Sequence, residues 1–199
     1  HFAPTSTSKN NLLKENIDPA AIVVTGNTVI DALQTTVKAD YRFTDSGLQK
    51  ALAGGKRLIL VTTHRRENLG EPMRHVYQAL RKVLENHPDV EAIFPVHKNP
   101  KVREIVDEEL GKLAQVHLIE PLDYEPFANL MAKVDIVLTD SGGIQEEAPA
   151  LGKPVLVLRD TTERPEAVDA GTVKLVGTAY DDVLRETSLL LDDSKYYQS

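Results

Sequence analysis

Apolar positions along the chain fall into two alternating patterns. Short β-branched runs occur at residues 57–64 (RLILVTTH), 90–97 (VEAIFPVH), 116–120 (VHLIE), 134–140 (VDIVLTD), 154–160 (PVLVLRD) and 172–177 (TVKLVG), with a further strand candidate at 21–26 (AIVVTG). Between them lie stretches with helical spacing. In the segment that opens at Glu71, the residues Met73, Val76, Tyr77, Leu80, Val83 and Leu84 fall on one helical face. Helices are likewise predicted for VIDAL, capped by Asn27 or Thr28, and for PKVREIVDEELGKL, YEPFANLMAK, GIQEEAPALG, ERPEAVDAG and DDVLRETSLLL. Strands that lack period-2 alternation are buried on both faces, as in a parallel sheet. Strand–helix alternation with short connections predicts an open, doubly wound α/β domain over residues 21–199. Residues 1–20 read as the tail of a preceding segment.

Composition narrows the function. The 199 residues are 41% hydrophobic and 27% charged, with a net charge of −7. That charge argues against non-specific binding to nucleic acid or to an anionic membrane, which would need a basic face. With no Cys, the chain has no disulfide, thiolate metal site or Cys nucleophile. No stretch approaches the roughly 20 apolar residues of a membrane span. The expected location is the cytoplasm, with neither nucleic acid nor membrane as partner. His75, His87 and His117 are expected at the surface, and the His spacing offers no metal site.

In open α/β sheets, ligands bind beyond the carboxyl ends of the strands. The polar residues there are THRREN (63–68), VHKNP (96–100), EPLDYEP (120–126), TDSGG (139–143) and RDTTERPE (159–166). In TDSGG, Asp140 or Ser141 is expected to cap a helix. Gly142 and Gly143 lack Cβ atoms, so their amides can approach an anion closely at the positive end of the helix. A capped turn without a ligand would read the same way. Glu147, about a turn and a half further on, suits two hydrogen bonds from a ribose diol, and Glu146 is expected to face solvent. His64, with Arg65 or Arg66, can stabilise a leaving diphosphate; a salt-bridged loop is the alternative. His97 reads similarly. Arg159 and Arg164 flank a possible cap at Thr161 or Thr162, with Pro165 in the first turn.

Together and in this order, VTGNTVIDAL, THRREN, PVHKNPKVRE, TDSGGIQEEAPALGKPVLVLRDTTERPEAV and GTVKLVGT resemble the non-hydrolysing UDP-N-acetylglucosamine 2-epimerases of bacteria. The resemblance implies a Rossmann-like sheet forming one half of a GT-B-like two-domain fold. It implies interconversion of UDP-GlcNAc and UDP-ManNAc by elimination and re-addition of UDP, without metal or nicotinamide, for cell-surface polysaccharide synthesis. On that resemblance, Ser141, Gly142 and Gly143 hold the diphosphate and Glu147 the ribose. Phe127 lies near the uracil. His64 assists departure of UDP, Arg65 and Arg164 line the nucleotide-sugar site, and His97 belongs to an activator site for a second UDP-GlcNAc.

The resemblance further implies a C-terminal half truncated at both ends and inactive alone. The carboxylates for proton transfer at C2 would then belong to a missing N-terminal domain, and the full-length protein would be a homodimer. A hydrolysing epimerase, a nucleotide-binding regulatory module without catalysis, and a glycosyltransferase of the same fold are the alternatives.

Overall fold

The computed structural model describes residues 1–198. At its start β1 (Phe2–Ala3) pairs in parallel with β2 (Val23–Val24), and α1 (Ser6–Lys14) lies between them in the chain. Residues 1–20 are joined to the rest by this pairing and by the Thr5 hydroxyl, which donates to Glu166 at 3.0 Å. The run expected as a strand over 21–26 pairs only at Val23 and Val24 and stays outside the main sheet. Both valines are exposed, and Gly26 turns the chain at φ 74°. The Asn27 side chain then accepts from the amide of Val29 and starts α2 (Thr28–Thr36). An additional helix, α3 (Ser46–Ala53), follows, capped by Asp45.

The six short β-branched runs form one sheet. Its strands are β3 (Arg57–Thr62), β4 (Val90–Pro95), β5 (Val116–Ile119), β6 (Ile136–Thr139), β7 (Val155–Val157) and β8 (Val173–Leu175). The intervening helices are α4 (Glu71–Asn86), α5 (Pro100–Leu110), α6 (Tyr124–Lys133), α7 (Ile144–Ala150), α8 (Pro165–Asp169) and α9 (Tyr180–Asp192), and α10 (Ser194–Gln198) closes the described chain. All neighbouring strands are parallel, in the order β5-β4-β3-β6-β7-β8. The chain builds outward from β3 to β5, then returns to lay β6 on the other side of β3. This is the Rossmann order, and its reversal between β3 and β6 opens a crevice at the carboxyl ends of those two strands.

Two apolar layers hold the helices to the sheet. On one face Ile59, Val61, Phe94 and Leu138 pack with Met73, Tyr77 and Leu80 of α4, Val102 and Val106 of α5, and Val183 of α9. On the other, Leu58, Leu60, Ile93 and Val137 pack with Leu33 of α2, Leu48 of α3, Leu130 of α6 and Ile144 of α7. Consecutive residues of β3 thus serve opposite layers, which is why its sequence shows no polar alternation.

The segment before β3 contributes to the second layer through Leu33, which is fully buried. Leu33→Ala is expected to destabilise the chain by about 2–5 kcal/mol, the range for emptying a buried leucine site. Urea unfolding measures it; a change within error would mean that α2 does not belong to the cooperative unit.

Candidate functional site

Asp140 follows β6 at the crevice, fully buried. Its carboxylate accepts from the amides of His64 and Arg65, both at 2.9 Å, and lies 3.0 Å from His64 Nδ1. Its own carbonyl accepts from Arg65 Nε at 3.2 Å. One residue earlier, at the last pair of β3 and β6, the hydroxyls of Thr62 and Thr139 share a hydrogen bond at 2.7 Å. The expectation that Asp140 or Ser141 caps the following helix is therefore corrected. Asp140 turns back to bind the end of β3, and the amide of Ser141 donates to Thr139 Oγ1. Gly143 occupies the cap position of α7 with no side chain on the helix amides. The carboxylate is better satisfied by three donors across the crevice than by the first turn of its own helix.

The Asp140 contact places a proton on His64 Nδ1 and leaves Nε2 free to face the crevice. The ring is partly exposed and stacks with that of His97, centroids 5.9 Å apart. His97 is exposed, and its Nδ1 accepts from the Asn99 amide at the cap of α5. His64, Arg65 and His97 thus line one wall of the crevice.

Opposite them stands the start of α7. Among the described residues, no acceptor lies on the amides of Gly142 and Gly143. A Cβ at Gly142 would lie 3.6 Å from Glu163 Oε2 and 3.8 Å from Arg65 Nη2; one at Gly143 would lie 3.7 Å from Glu147 Oε1. The two glycines therefore leave a gap bounded by two carboxylates and a guanidinium.

The helix begins at Ile144, later than expected, so Glu147 sits in its first turn. Its carboxylate is half-buried and, among the described residues, has neither a hydrogen bond nor an ion pair. Burial, and then the neighbouring Glu146, push its pKa upward. Tyr124, on the first turn of α6, stands close enough for the Glu147 charge to raise its phenol further after burial has done so. Tyr124 is exposed, whereas Phe127, one turn along, is half-buried against the second apolar layer. Sequence reasoning included Tyr124 only within the rim stretch EPLDYEP and gave it no role.

Glu146 is not the solvated carboxylate expected. It accepts from Arg164 Nε and from the Asn27 side chain, tying α7 to the start of α8 and to the cap of α2. Neither Thr161 nor Thr162 caps α8, which begins after Arg164. Thr162 instead accepts from the Arg164 amide at 3.0 Å and donates to the buried Gln145 of α7. His87 also departs from expectation: it is buried at the end of α4, with Nδ1 2.7 Å from the Val83 carbonyl and Nε2 3.1 Å from Asp192. His117 is partly buried against Glu91.

Among the described residues, no group of three or more His, Cys, Asp or Glu is placed to hold a metal ion. No helix there is long and apolar enough to cross a membrane.

The family model for UDP-N-acetylglucosamine 2-epimerase matches residues 1–199. The chain belongs to the UDP-N-acetylglucosamine 2-epimerase family. It is 52% identical to the UDP-N-acetylglucosamine 2-epimerase of Bacillus subtilis over 198 residues, covering all of this chain and 51% of that protein. It superposes on S. aureus MnaA in complex with UDP with a TM-score of 0.93 at 46% identity, covering all of this chain and 53% of the other. The Neisseria meningitidis epimerase bound to UDP-GlcNAc gives a TM-score of 0.88 at 46% identity, with coverage of 100% and 54%. The chain thus spans about half the length of the relatives it matches, and its sheet is one half of the family's GT-B-like fold.

Two outcomes are expected. Asp140→Asn keeps one acceptor but replaces the charge, and should lower stability by about 1–3 kcal/mol. The His64 ring should also lose its fixed Nδ1–H form, read by ¹⁵N NMR; an unchanged ring signal would remove Asp140 as its partner. Glu147→Gln should act in the opposite sense. A carboxyl whose pKa is raised on folding favours the folded state most at low pH, and loses that contribution as pH rises through its folded value. The variant should therefore melt higher than wild type at neutral pH, with the gap closing at acidic pH.

Proposed function

We propose that this chain is the UDP-binding half of an epimerase that interconverts UDP-GlcNAc and UDP-ManNAc. The observation that carries the reading is the pair of amides at Gly142 and Gly143, acceptor-free among the described residues and close to Arg65, with His64 held on Asp140 two residues before Gly142. Oriented N–H groups at a helix start suit a diphosphate without a lysine. Ser141, Gly142 and Gly143 would cradle the phosphates. The free carboxylate of Glu147 would take two ribose hydroxyls, exchanging an unfavourable desolvated charge for a charge-assisted pair of hydrogen bonds. The uracil would then lie toward the first turn of α6, near Phe127 and Tyr124, and Arg164 would line the sugar side.

The same arrangement supports elimination and re-addition of UDP, the non-hydrolysing route. As the C1–O bond breaks, charge builds on the departing diphosphate. In its imidazolium form His64, held by Asp140 through Nδ1–H, can donate from Nε2–H to a phosphate oxygen, and Arg65 adds positive charge. Re-addition reverses these steps. Proton transfer at C2 needs bases on both faces of the sugar, and these would come from the half of the family's length outside this chain. Alone, the chain should bind nucleotide without turnover. His97, stacked on His64, would let a second nucleotide-sugar influence the first. In the full-length protein the chain would act as part of a homodimer.

By calorimetry, UDP should bind this chain more tightly than uridine. Glu147→Ala should weaken UDP by about 1.5–3 kcal/mol, the range for hydrogen bonds to a charged group. An unchanged dissociation constant for that variant would refute the ribose assignment.

A further inference from the structure

Glu163 pairs with Arg159 and also reaches the start of α7. Its side chain is half-exposed, yet Oε2 sits 3.6 Å from the position a Gly142 Cβ would take, at the mouth of the acceptor-free amides. Oε2 is also 2.7 Å from Arg159 Nη1, and Oε1 is 3.9 Å from Arg65 Nη2. A carboxylate is thus parked beside the group of donors that a phosphate would use.

We propose that Glu163 is a displaceable internal anion: it screens Arg65 and the Gly142 amide in the ligand-free chain, and a nucleoside diphosphate binds by driving it out. The proposal rests on the diphosphate reading above and concerns how that site is regulated. Two negative charges about 4 Å apart repel appreciably at the effective dielectric of a protein surface, so the phosphate and the carboxylate cannot share the gap at no cost. The surroundings allow the exchange. Arg159 is nearly buried and its Nε lies 3.2 Å from the Glu67 carboxylate, so an opposite charge stays beside it when Glu163 leaves. The flanking chain stays in place, because Thr162 is bonded to Gln145 and Arg164 to Glu146. Only the side chain need swing, and half of it already faces water.

Bonding to Arg159 holds the Glu163 carboxyl down to about 2, so it remains an anion throughout the neutral range. A weak, singly charged competitor gains too little from the amides to evict it, whereas a diphosphate gains from Arg65, His64 and both glycines at once. Glu163 would therefore lower affinity for UDP while raising the selectivity of the site for diphosphates, and would favour release when UDP leaves.

The test is calorimetry with UDP and with uridine on wild type, Glu163→Gln and Glu163→Asp, at low and high salt, with thermal melts to verify folding. Glu163→Gln should bind UDP about fivefold more tightly at low salt, and the advantage should shrink as salt screens the charge. Uridine binding should not change. Glu163→Asp, which withdraws the charge by one methylene, should fall between the two and carries the test if the Gln variant does not fold. UDP affinity that stays level or falls in the variants, or an equal shift for uridine, overturns the proposal. Wild type binding UDP no better than uridine is a distinct result: it removes the diphosphate site itself.

Discussion

The buried carboxylate of Asp140 is the constraint on which the candidate site depends. The sheet order reverses between β3 and β6, so nothing in the chain's local course brings their carboxyl ends together. Parallel pairing of the two strands up to Thr62 and Thr139 does so, and Asp140 then fixes the loop after β3 with one side chain, binding two of its amides and one imidazole. A buried charge is tolerated only where it is fully hydrogen-bonded. The site is therefore held where the carboxylate needs its donors. That need fixes the orientation of His64, the position of Arg65 and the outward course of Ser141 and the two glycines. It also explains why α7 has no side-chain cap: the residue best suited to cap it is engaged on the opposite strand.

Around this point the acidic side chains divide into two kinds. Glu146 and Glu163 are paired with Arg164 and Arg159, whereas Glu147 stands half-buried without a partner. An unsatisfied, desolvated carboxylate is a local destabilisation, and such features are retained where a ligand relieves them. Among the described residues, the acceptor-free amides and the unpaired carboxylate lie together at the start of α7, and the proposed nucleotide site draws on that juxtaposition. Arg164 and Asn27, meanwhile, meet on Glu146, so the start of α7 is tied both to the loop before α8 and to the segment leading into the sheet.

Much of the fold was legible because strands buried on both faces leave continuous apolar runs, and α4 shows an unbroken helical stripe. Segments with weaker signals escaped. The helix α3 carries Gly47 in its first turn and buries only Leu48 and Ala51, so its periodicity is faint. The run at 21–26 has the composition of a core strand but pairs at two residues and remains exposed, since its neighbours in space rather than its own sequence decide burial. His87 reads as a surface residue and is buried because α4 and Asp192 close over it.

The sequence by itself determined the class of the domain, the strands of the main sheet and the rim on which polar chemistry collects, because hydrophobic periodicity is a local property of the chain. It also singled out His64, Arg65, Gly142, Gly143 and Glu147 as residue types suited to a nucleotide. Only the tertiary structure decided how those residues divide their roles. That Asp140 binds β3 rather than its own helix, that Glu146 is tethered while Glu147 is free, and that Glu163 reaches back over Gly142 all depend on contacts between segments far apart in the chain. Charged side chains choose partners by distance in space and by access to water, and neither is written in residue order.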